Sequence, residues 1–150
     1  MENNFAFMEE INKFYDVWQN LNYVYEEWAK AHDLSSNTLL VLCSLHDNQK
    51  DCTQKKISQQ WLIPKQTVNM IFKDLERRGF VDLLPMSEDK RNKVIRLTET
   101  GKEYADTIVS KLREKEVFIA KEIGIERMQQ LNEIMALYVE LLGREEEIQK

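Results

Sequence analysis

The sequence predicts a mainly α-helical protein with one small β hairpin. Only four glycines and two prolines occur in 150 residues, which favours helices over a turn-rich β architecture. Apolar residues recur at helical spacing along most of the chain. The helical spacing is interrupted by two short apolar stretches, 80–84 and 93–97, on either side of the polar segment 87–92. This pattern predicts the hairpin.

The two ends of the chain carry the most regular apolar patterns. From Phe7 to His32, apolar and aromatic residues recur every three or four positions without an intervening glycine or proline. This predicts a helix of about 25 residues whose apolar seam must pack on another helix or another subunit. A second seam is predicted in the last helix, at Met128, Leu131, Met135, Tyr138 and Leu142.

Two shorter helices are predicted between these seams. Ser35 and Ser36 offer N-caps for the second helix, whose nearly all-apolar stretch 39–45 is predicted to be central core. Thr53 can cap a short third helix that runs to about Gln60.

A fourth, amphipathic helix follows a tight turn. Pro64 fits the first turn of this helix, and Gly79 supplies a left-handed stop after it. The third and fourth helices therefore have the layout of a helix–turn–helix. The predicted inner face of the fourth helix consists of Val68, Ile71, Phe72 and Leu75.

A short hairpin and two helices complete the predicted order. Strands are expected near 80–84 and 93–97, joined by the polar tip 87–92. Thr98 can cap a long fifth helix, which Gly124 breaks. The fold class is thus a winged helix–turn–helix flanked by long N- and C-terminal helices.

The distribution of charge is compatible with nucleic-acid binding, although the net charge is −5. The segment 50–96 has 11 Lys and Arg against 6 Asp and Glu, whereas the rest of the chain has 10 against 20. Binding to phosphates depends on the local electric field within a Debye length of about 8 Å. The basic segment 50–96 can therefore bind DNA although the whole chain is acidic.

The outer face of the fourth helix is the candidate for reading DNA. Amide side chains can pair with adenine, lysines with guanine or phosphate, and methyl groups with the thymine methyl. The alternative is an ordinary solvated helix face, but the basic hairpin that follows favours DNA binding. The candidate residues on this helix are Lys65, Gln66, Thr67, Asn69, Met70 and Lys73.

Three stretches of the chain together resemble the MarR family of winged-helix regulators. They are the segment from Ile57 to Asn69, the segment from Leu75 to Val81, and Asp89-Lys90-Arg91 followed by Leu97-Thr98-Glu99-Thr100-Gly101. The spacing from the Asp-x-Arg of the wing to Leu-Thr-x-x-Gly is the most specific element.

The resemblance implies a homodimeric transcription regulator, and a ligand-responsive repressor of a pseudo-palindromic operator is the expected function. It implies one domain over 1–150, with a DNA-binding lobe at 35–98 and dimerisation helices at 5–32 and 99–148. The fourth helix would enter the major groove of double-stranded DNA. In the wing, Asp89 would orient the guanidinium of Arg91 toward the minor groove, and Lys90 and Lys93 would add charge.

Two residues depart from the family pattern. Pro64 stands where the family often has serine, so the phosphate contact of that hydroxyl is missing. Leu83 and Leu84 occupy a stretch where many members have arginine, so we expect a weaker grip on the backbone at the base of the wing.

The same resemblance suggests a small aromatic or apolar anionic ligand. Family members often bind such molecules between the dimer layer and the DNA lobe. The alternative is that the aromatic residues of the first helix are simply dimer core. The candidate ligand residues are Tyr15, Trp18, Tyr25, Trp28 and His32.

Other functions are less well supported. The chain has two histidines, neither with an obvious Ser or Cys partner, and no glycine-rich phosphate loop, so we expect neither an enzyme nor a cofactor. A metal sensor is not expected, because the candidate ligands follow no recognised spacing. These candidates are Glu26, Glu27, His32, Cys43 and His46. A winged-helix module that binds proteins remains the alternative function.

The cysteines and the N-terminus predict a cytoplasmic protein. Cys43 and Cys52 are too few for a disulfide framework and are expected to be a buried small residue and an incidental loop thiol. A redox role for Cys52, supported by nearby lysines, stays open. No membrane span is expected, and the stretch 1–4, which is acidic rather than basic because of Glu2, leads into no apolar signal segment.

Overall fold

The predicted fold class is confirmed by a computed structural model, which describes residues 4–47, 52–85 and 93–144. Within these ranges the chain forms six helices and one two-stranded antiparallel sheet. In chain order the elements are α1 (Asn4–Ala31), α2 (Ser36–Asp47), α3 (Gln54–Trp61), α4 (Lys65–Arg77), β1 (Val81–Pro85), β2 (Lys93–Leu97), α5 (Glu99–Ile123) and α6 (Ile125–Leu142).

Hydroxyl side chains begin two of these helices, as the sequence predicts. The backbone N–H of Thr38 donates to Ser35 Oγ over 3.1 Å, so Ser35 caps α2 and Ser36 is its first helical residue. The backbone N–H of Gly101 donates to Thr98 Oγ1 over 3.0 Å at the start of α5. Each hydroxyl satisfies one of the N–H groups that a helix N-terminus leaves unpaired.

The first strand begins one residue later than predicted. The backbone N–H of Phe80 donates to the carbonyl of Leu75 over 2.9 Å, so Phe80 belongs to the turn that closes α4. Gly79 has a φ of +79°, which confirms the left-handed stop. The strands β1 and β2 then pair with Val81 opposite Leu97 and Pro85 opposite Lys93.

The chain divides into two units, Met1–Val109 and Ser110–Lys150. The core of the first unit draws side chains from every element between α2 and the first half of α5. The largest fully buried side chains are Phe72, Leu42, Leu45, Ile57, Leu75, Ile95, Val41, Val68, Val81 and Val109. In the second unit Leu112 is buried, whereas every residue of α6 except the half-buried Met128 is exposed.

Four residues form a tight junction where the wing meets α5, and we call Gly79, Phe80, Thr98 and Gly101 the wing–α5 junction. The backbone N–H of Thr98 donates to the carbonyl of Phe80 over 3.0 Å, and Thr98 Oγ1 donates to the carbonyl of Gly79 over 2.7 Å. A Cβ atom on Gly101 would lie 1.8 Å from the carbonyl oxygen of Phe80. Only glycine therefore allows α5 to approach this close.

Aromatic stacking supports the same junction. The rings of Phe80 and Tyr104 stack with centroids 4.3 Å apart and planes 7° apart. The guanidinium of Arg78 lies 5.0 Å from the centroid of Phe80, within the range of a cation–π interaction. Arg78 is thus a structural residue at the end of α4.

None of the helices within the described ranges is both long and apolar enough to cross a membrane.

Candidate nucleic-acid interface

Helix α3 is held in place by its cap and by the turn that follows it. The backbone N–H of Lys56 donates to Thr53 Oγ1 over 3.1 Å, which confirms the predicted cap. At the other end Leu62 adopts a left-handed conformation, with a φ of 54°, and its side chain is 89% exposed. Ser58 Oγ donates to the carbonyl of Ile63 over 2.6 Å and so closes the turn. The sequence predicted this turn but not the positive φ of a leucine.

A polar cluster around the buried Ser44 ties α3 to α2. Trp61 Nε1 donates to Ser44 Oγ over 2.6 Å, and Ser44 Oγ donates to Gln60 Oε1 over 3.1 Å. Ser44 is 2% exposed. These bonds satisfy polar groups that would otherwise be costly to bury, and they fix the orientation of α3 on the core.

Helix α4 begins at Lys65, one residue later than predicted. Pro64 has a ψ of 140°, which is extended rather than helical, so it stands at the N-cap position without a side-chain cap. The predicted inner face is confirmed, because Val68, Ile71, Phe72 and Leu75 are all buried. At 13 residues the helix is about 20 Å long, and the major groove of B-DNA, about 12 Å wide, admits a helix of this kind.

The candidate DNA-reading residues of α4 lie opposite this buried face. Lys65, Gln66, Met70 and Lys73 are exposed, with Met70 at 71%, whereas Thr67 and Asn69 are half-buried. The structure thus brings two cations, two amides, a hydroxyl and a thioether onto one helix. These are the group types that contact phosphates, base edges and thymine methyls.

Asn69 has a hydrogen-bond partner that sequence reasoning missed. Gln54 Nε2, at the start of α3, donates to Asn69 Oδ1 over 3.0 Å, and the two residues are 15 positions apart. No local pattern signals this pair, because it depends on how α3 crosses α4.

Only the base of the wing lies within the described part of the chain. Lys93 is exposed at the start of β2, opposite Pro85. The predicted wing-tip residues Asp89, Lys90 and Arg91 lie outside the described residues. At the base of the wing, Leu83 is half-buried and Leu84 is 40% exposed.

Cys52 is buried, so the prediction of an incidental loop thiol is wrong. The backbone N–H of Ile95 donates to the carbonyl of Cys52 over 2.9 Å, and Thr53 pairs with Val94, so this segment runs against β2. Burial raises the pKa of the Cys52 thiol to about 11, although the charge of Lys56 lowers it. A raised pKa opposes the thiolate that a redox sensor needs. Cys43 is buried in α2, as predicted.

Four of the predicted ligand residues lie on α1, and His32 follows directly after this helix. The rings of Trp28 and His32 stack with centroids 4.0 Å apart, and His32 Nδ1 lies 2.8 Å from the carbonyl oxygen of Trp28. Tyr15, Trp18 and Tyr25 are exposed. An open cavity of about 350 Å³ lies in the second unit, on α5. Its lining residues are Arg113, Glu114, Val117, Phe118 and Lys121.

The metal-sensor candidates do not converge. His46 Nε2 lies 2.9 Å from a carboxylate oxygen of Asp106, and its Nδ1 lies 3.1 Å from one of Asp47. Both ring nitrogens are thus engaged with carboxylates. Among the residues that the structure describes, no three or more His, Cys, Asp and Glu side chains come together as a metal site.

Comparisons with known proteins give one answer. The MarR family model MarR_2 matches residues 32–92. The HTH-type transcriptional regulator SarZ of Staphylococcus haemolyticus is 30% identical over 77 residues, 51% of this chain and 52% of that protein, so the match spans about half of the relative. SarZ of Staphylococcus aureus strain USA300 is 27% identical over 125 residues, which cover 83% of this chain and 81% of the relative.

A solved structure extends the likeness to most of the chain. NMB1585, a MarR family regulator from Neisseria meningitidis, superposes with a TM-score of 0.77 and 27% identity. The match covers 89% of this chain and 93% of that protein. With the helix–turn–helix of α3 and α4, the strands β1 and β2 and the long flanking helices, these likenesses lead to one conclusion: the chain has the winged helix–turn–helix fold and is similar to the MarR family of regulators.

Proposed function

We propose that this protein binds duplex DNA with sequence specificity and regulates transcription as a homodimer, as a repressor that responds to a small ligand. The observation that carries the proposal is α4, whose apolar face is fully engaged in the core while its polar row faces solvent beside a wing. The exposed side chains Lys65, Gln66, Met70 and Lys73 of this row are left free to contact DNA, and the groups of the row match the edges of the major groove.

The proposal assigns different roles to different residues of α4. Gln66, Thr67 and Asn69 read base edges, because amides and hydroxyls discriminate among them. Lys65 and Lys73 contact phosphates, which position the helix without reading sequence. Met70 offers an apolar contact to thymine methyl groups.

The wing supplies charge beside the recognition helix. Lys93 stands at its base, and Lys90 and Arg91 add two cations at its tip. We assign Arg91 to the minor groove, whose narrow regions attract arginine, and Asp89 to the orientation of its guanidinium. Because Leu83 and Leu84 stand where many family members have arginine, the proposal assigns the arginine contact of the wing to Arg91 alone.

Uncovered apolar side chains support a homodimer. In α1, Phe7, Trp18 and Leu21 are 65%, 53% and 54% exposed. In α6, considered by itself, Leu131 is 48% exposed and Met135 38%. Seams of this kind exceed what a monomer normally leaves in water, so a second copy is the proposed cover. A two-fold dimer would read two half-sites, hence a pseudo-palindromic operator.

The ligand response is proposed from the aromatic residues of α1. Tyr15, Trp18 and Tyr25 present aromatic surface to solvent, and Trp28 stacks on His32. These aromatic groups suit an aromatic or apolar ligand that stacks on their rings. Dimer packing competes for the same side chains.

Because chromosomal DNA is the proposed partner, the protein is proposed to act in the cytoplasm.

Footprinting on the promoter of its own gene tests the proposal. We expect protection of a pseudo-palindromic site and an affinity that falls steeply with salt, because each phosphate contact contributes about −0.9 to the slope of log K against log salt. Absence of duplex binding at low salt would contradict the proposal and favour the protein-interaction module. Added aromatic acids such as salicylate should release the DNA if the ligand assignment is right.

A further inference from the structure

The contact between Gln54 and Asn69 links the two helices of the helix–turn–helix through their side chains. Gln54 is the first residue of α3, next to the cap Thr53, and is half-buried, as is Asn69 on α4. Its Nε2 donates to Asn69 Oδ1 over 3.0 Å.

The direction of this hydrogen bond fixes the orientation of the Asn69 amide. A primary amide has an oxygen that accepts and an NH₂ group that donates, on opposite sides of one carbon. When Gln54 donates to the oxygen, that side of the amide is turned toward α3. The NH₂ side is then the one left to meet another partner.

We propose that Gln54 is a specificity-determining positioning residue, which holds Asn69 so that its NH₂ group faces the base edges. The inference rests on the proposed function, since it assumes that α4 enters the major groove. Gln54 itself need not contact DNA. It acts by removing the rotational choice that an unrestrained asparagine would have.

If the NH₂ group of Asn69 faces the base edges, it can pair only with bases that present an acceptor in the major groove. In the major groove guanine offers N7 and O6 as acceptors, adenine offers N7 and thymine offers O4. Cytosine offers only its N4 amino group, which is a donor. Two donors facing each other leave both unpaired, so cytosine should be the base that Asn69 rejects most strongly.

Substitution by glutamate should invert this preference. A carboxylate accepts hydrogen bonds and cannot donate them, so Gln54→Glu can pair with Asn69 only if the NH₂ group of Asn69 turns toward it. The oxygen of Asn69 then faces the groove, where the amino groups at cytosine N4 and adenine N6 can donate to it. The change suits the site, since a glutamate at the start of α3 is favourable with the helix dipole.

The experiment measures base preference rather than affinity alone. Duplexes are first selected from a random library by the wild-type dimer. The position read by Asn69 is the one where Asn69→Ala loses discrimination among the four bases. The dissociation constants of the four duplexes that differ there are then measured for each variant, and the thermal midpoint of each variant shows that it is folded.

We expect Gln54→Glu to improve cytosine relative to guanine and thymine, which present no amino donor in the major groove, by about 5- to 10-fold, the worth of one hydrogen bond. Gln54→Ala should flatten the preference, because the amide of Asn69 is then free to turn. In the Asn69→Ala background, neither change at Gln54 should alter the preference further. This last result separates a positioning role from a direct contact.

Gln59→Glu is the matched control, because Gln59 is exposed on the same helix and takes the same change of charge. It should weaken all four duplexes alike and leave their order unchanged. If Gln54→Glu and Gln54→Ala both keep the wild-type order of affinities for the four duplexes, the inference is overturned while the proposed function stands. If the wild type selects no sequence at all, the proposed function fails instead.

Discussion

Substitution of Gly101 by alanine separates local propensity from tertiary packing, because the two predict opposite signs. Gly101 lies in the first turn of α5, where alanine is favoured over glycine by about 0.5–1 kcal/mol on helix propensity alone. A sequence-level argument therefore predicts that Gly101→Ala stabilises the protein. The wing–α5 junction predicts the reverse.

The size of the loss follows from the junction. The new Cβ would lie 1.8 Å from the carbonyl oxygen of Phe80, so the two backbones must separate by roughly 1.5 Å to restore contact near 3.5 Å. Overpacking of this kind costs about 1–3 kcal/mol. The separation also breaks the bond from the Thr98 N–H to the Phe80 carbonyl, at a cost of about 1 kcal/mol or more. After the gain in propensity of about 0.5–1 kcal/mol, a net loss of about 1–3.5 kcal/mol is expected.

Thermal unfolding at one fixed protein concentration measures this loss, since association makes the midpoint depend on concentration. For a chain of this size, the centre of this range, about 2 kcal/mol, corresponds to a fall of about 4–8 °C in the thermal midpoint. Gly143→Ala is the control, because Gly143 has a right-handed φ of −80° and an added Cβ would meet no atom closer than 3.2 Å. It should shift the midpoint by no more than about 2 °C. A Gly101→Ala protein that melts at or above the wild type would refute the reasoning.

Four further predictions follow from the site and from the exposed seams. Gln66→Ala should weaken operator binding by about 1–3 kcal/mol and random duplex binding much less, and an equal loss on both would remove Gln66 from the base-reading set. Arg91→Ala should weaken all duplexes, and Asp89→Ala should also weaken binding if it orients Arg91, whereas a purely electrostatic role predicts tighter binding. Leu131→Asp should yield monomer or unfolded chain in sedimentation, because an unpaired charge would be buried in the proposed dimer. Because burial raises the pKa of Cys52 from 9.0 to about 11, its contribution to stability is present below pH 9 and is lost as pH rises to about 11. Urea unfolding between these values should therefore show a smaller decline for Cys52→Ala than for the wild type.

Local signals predicted the elements of the fold well. Thr53 and Thr98 were identified as caps because a capping hydroxyl acts on N–H groups only three residues away. The inner face of α4 follows from helical spacing in the same way. Pro64 was placed one position too far into the helix, since its fixed φ suits both the first turn and the residue before it, and only ψ distinguishes them.

Features that depend on contacts between distant segments were not predicted. Cys52 reads as a loop residue because no local pattern reveals that its backbone pairs with β2. The hydrogen bond from Gln54 to Asn69 requires the crossing of two helices. The outward row of α4 could be named from the sequence, but which atom of Asn69 faces outward could not.

The hydrogen bonds of the wing–α5 junction form one continuous chain, and this has a consequence for local opening. The N–H of Phe80 is bonded to Leu75, that of Thr98 to Phe80, and that of Gly101 to the Thr98 hydroxyl, which itself donates to Gly79. None of these amides can be released singly without disturbing an adjoining element. Their hydrogens should therefore report a common opening free energy in hydrogen exchange, as one cooperative unit that joins the end of α4 to the start of α5.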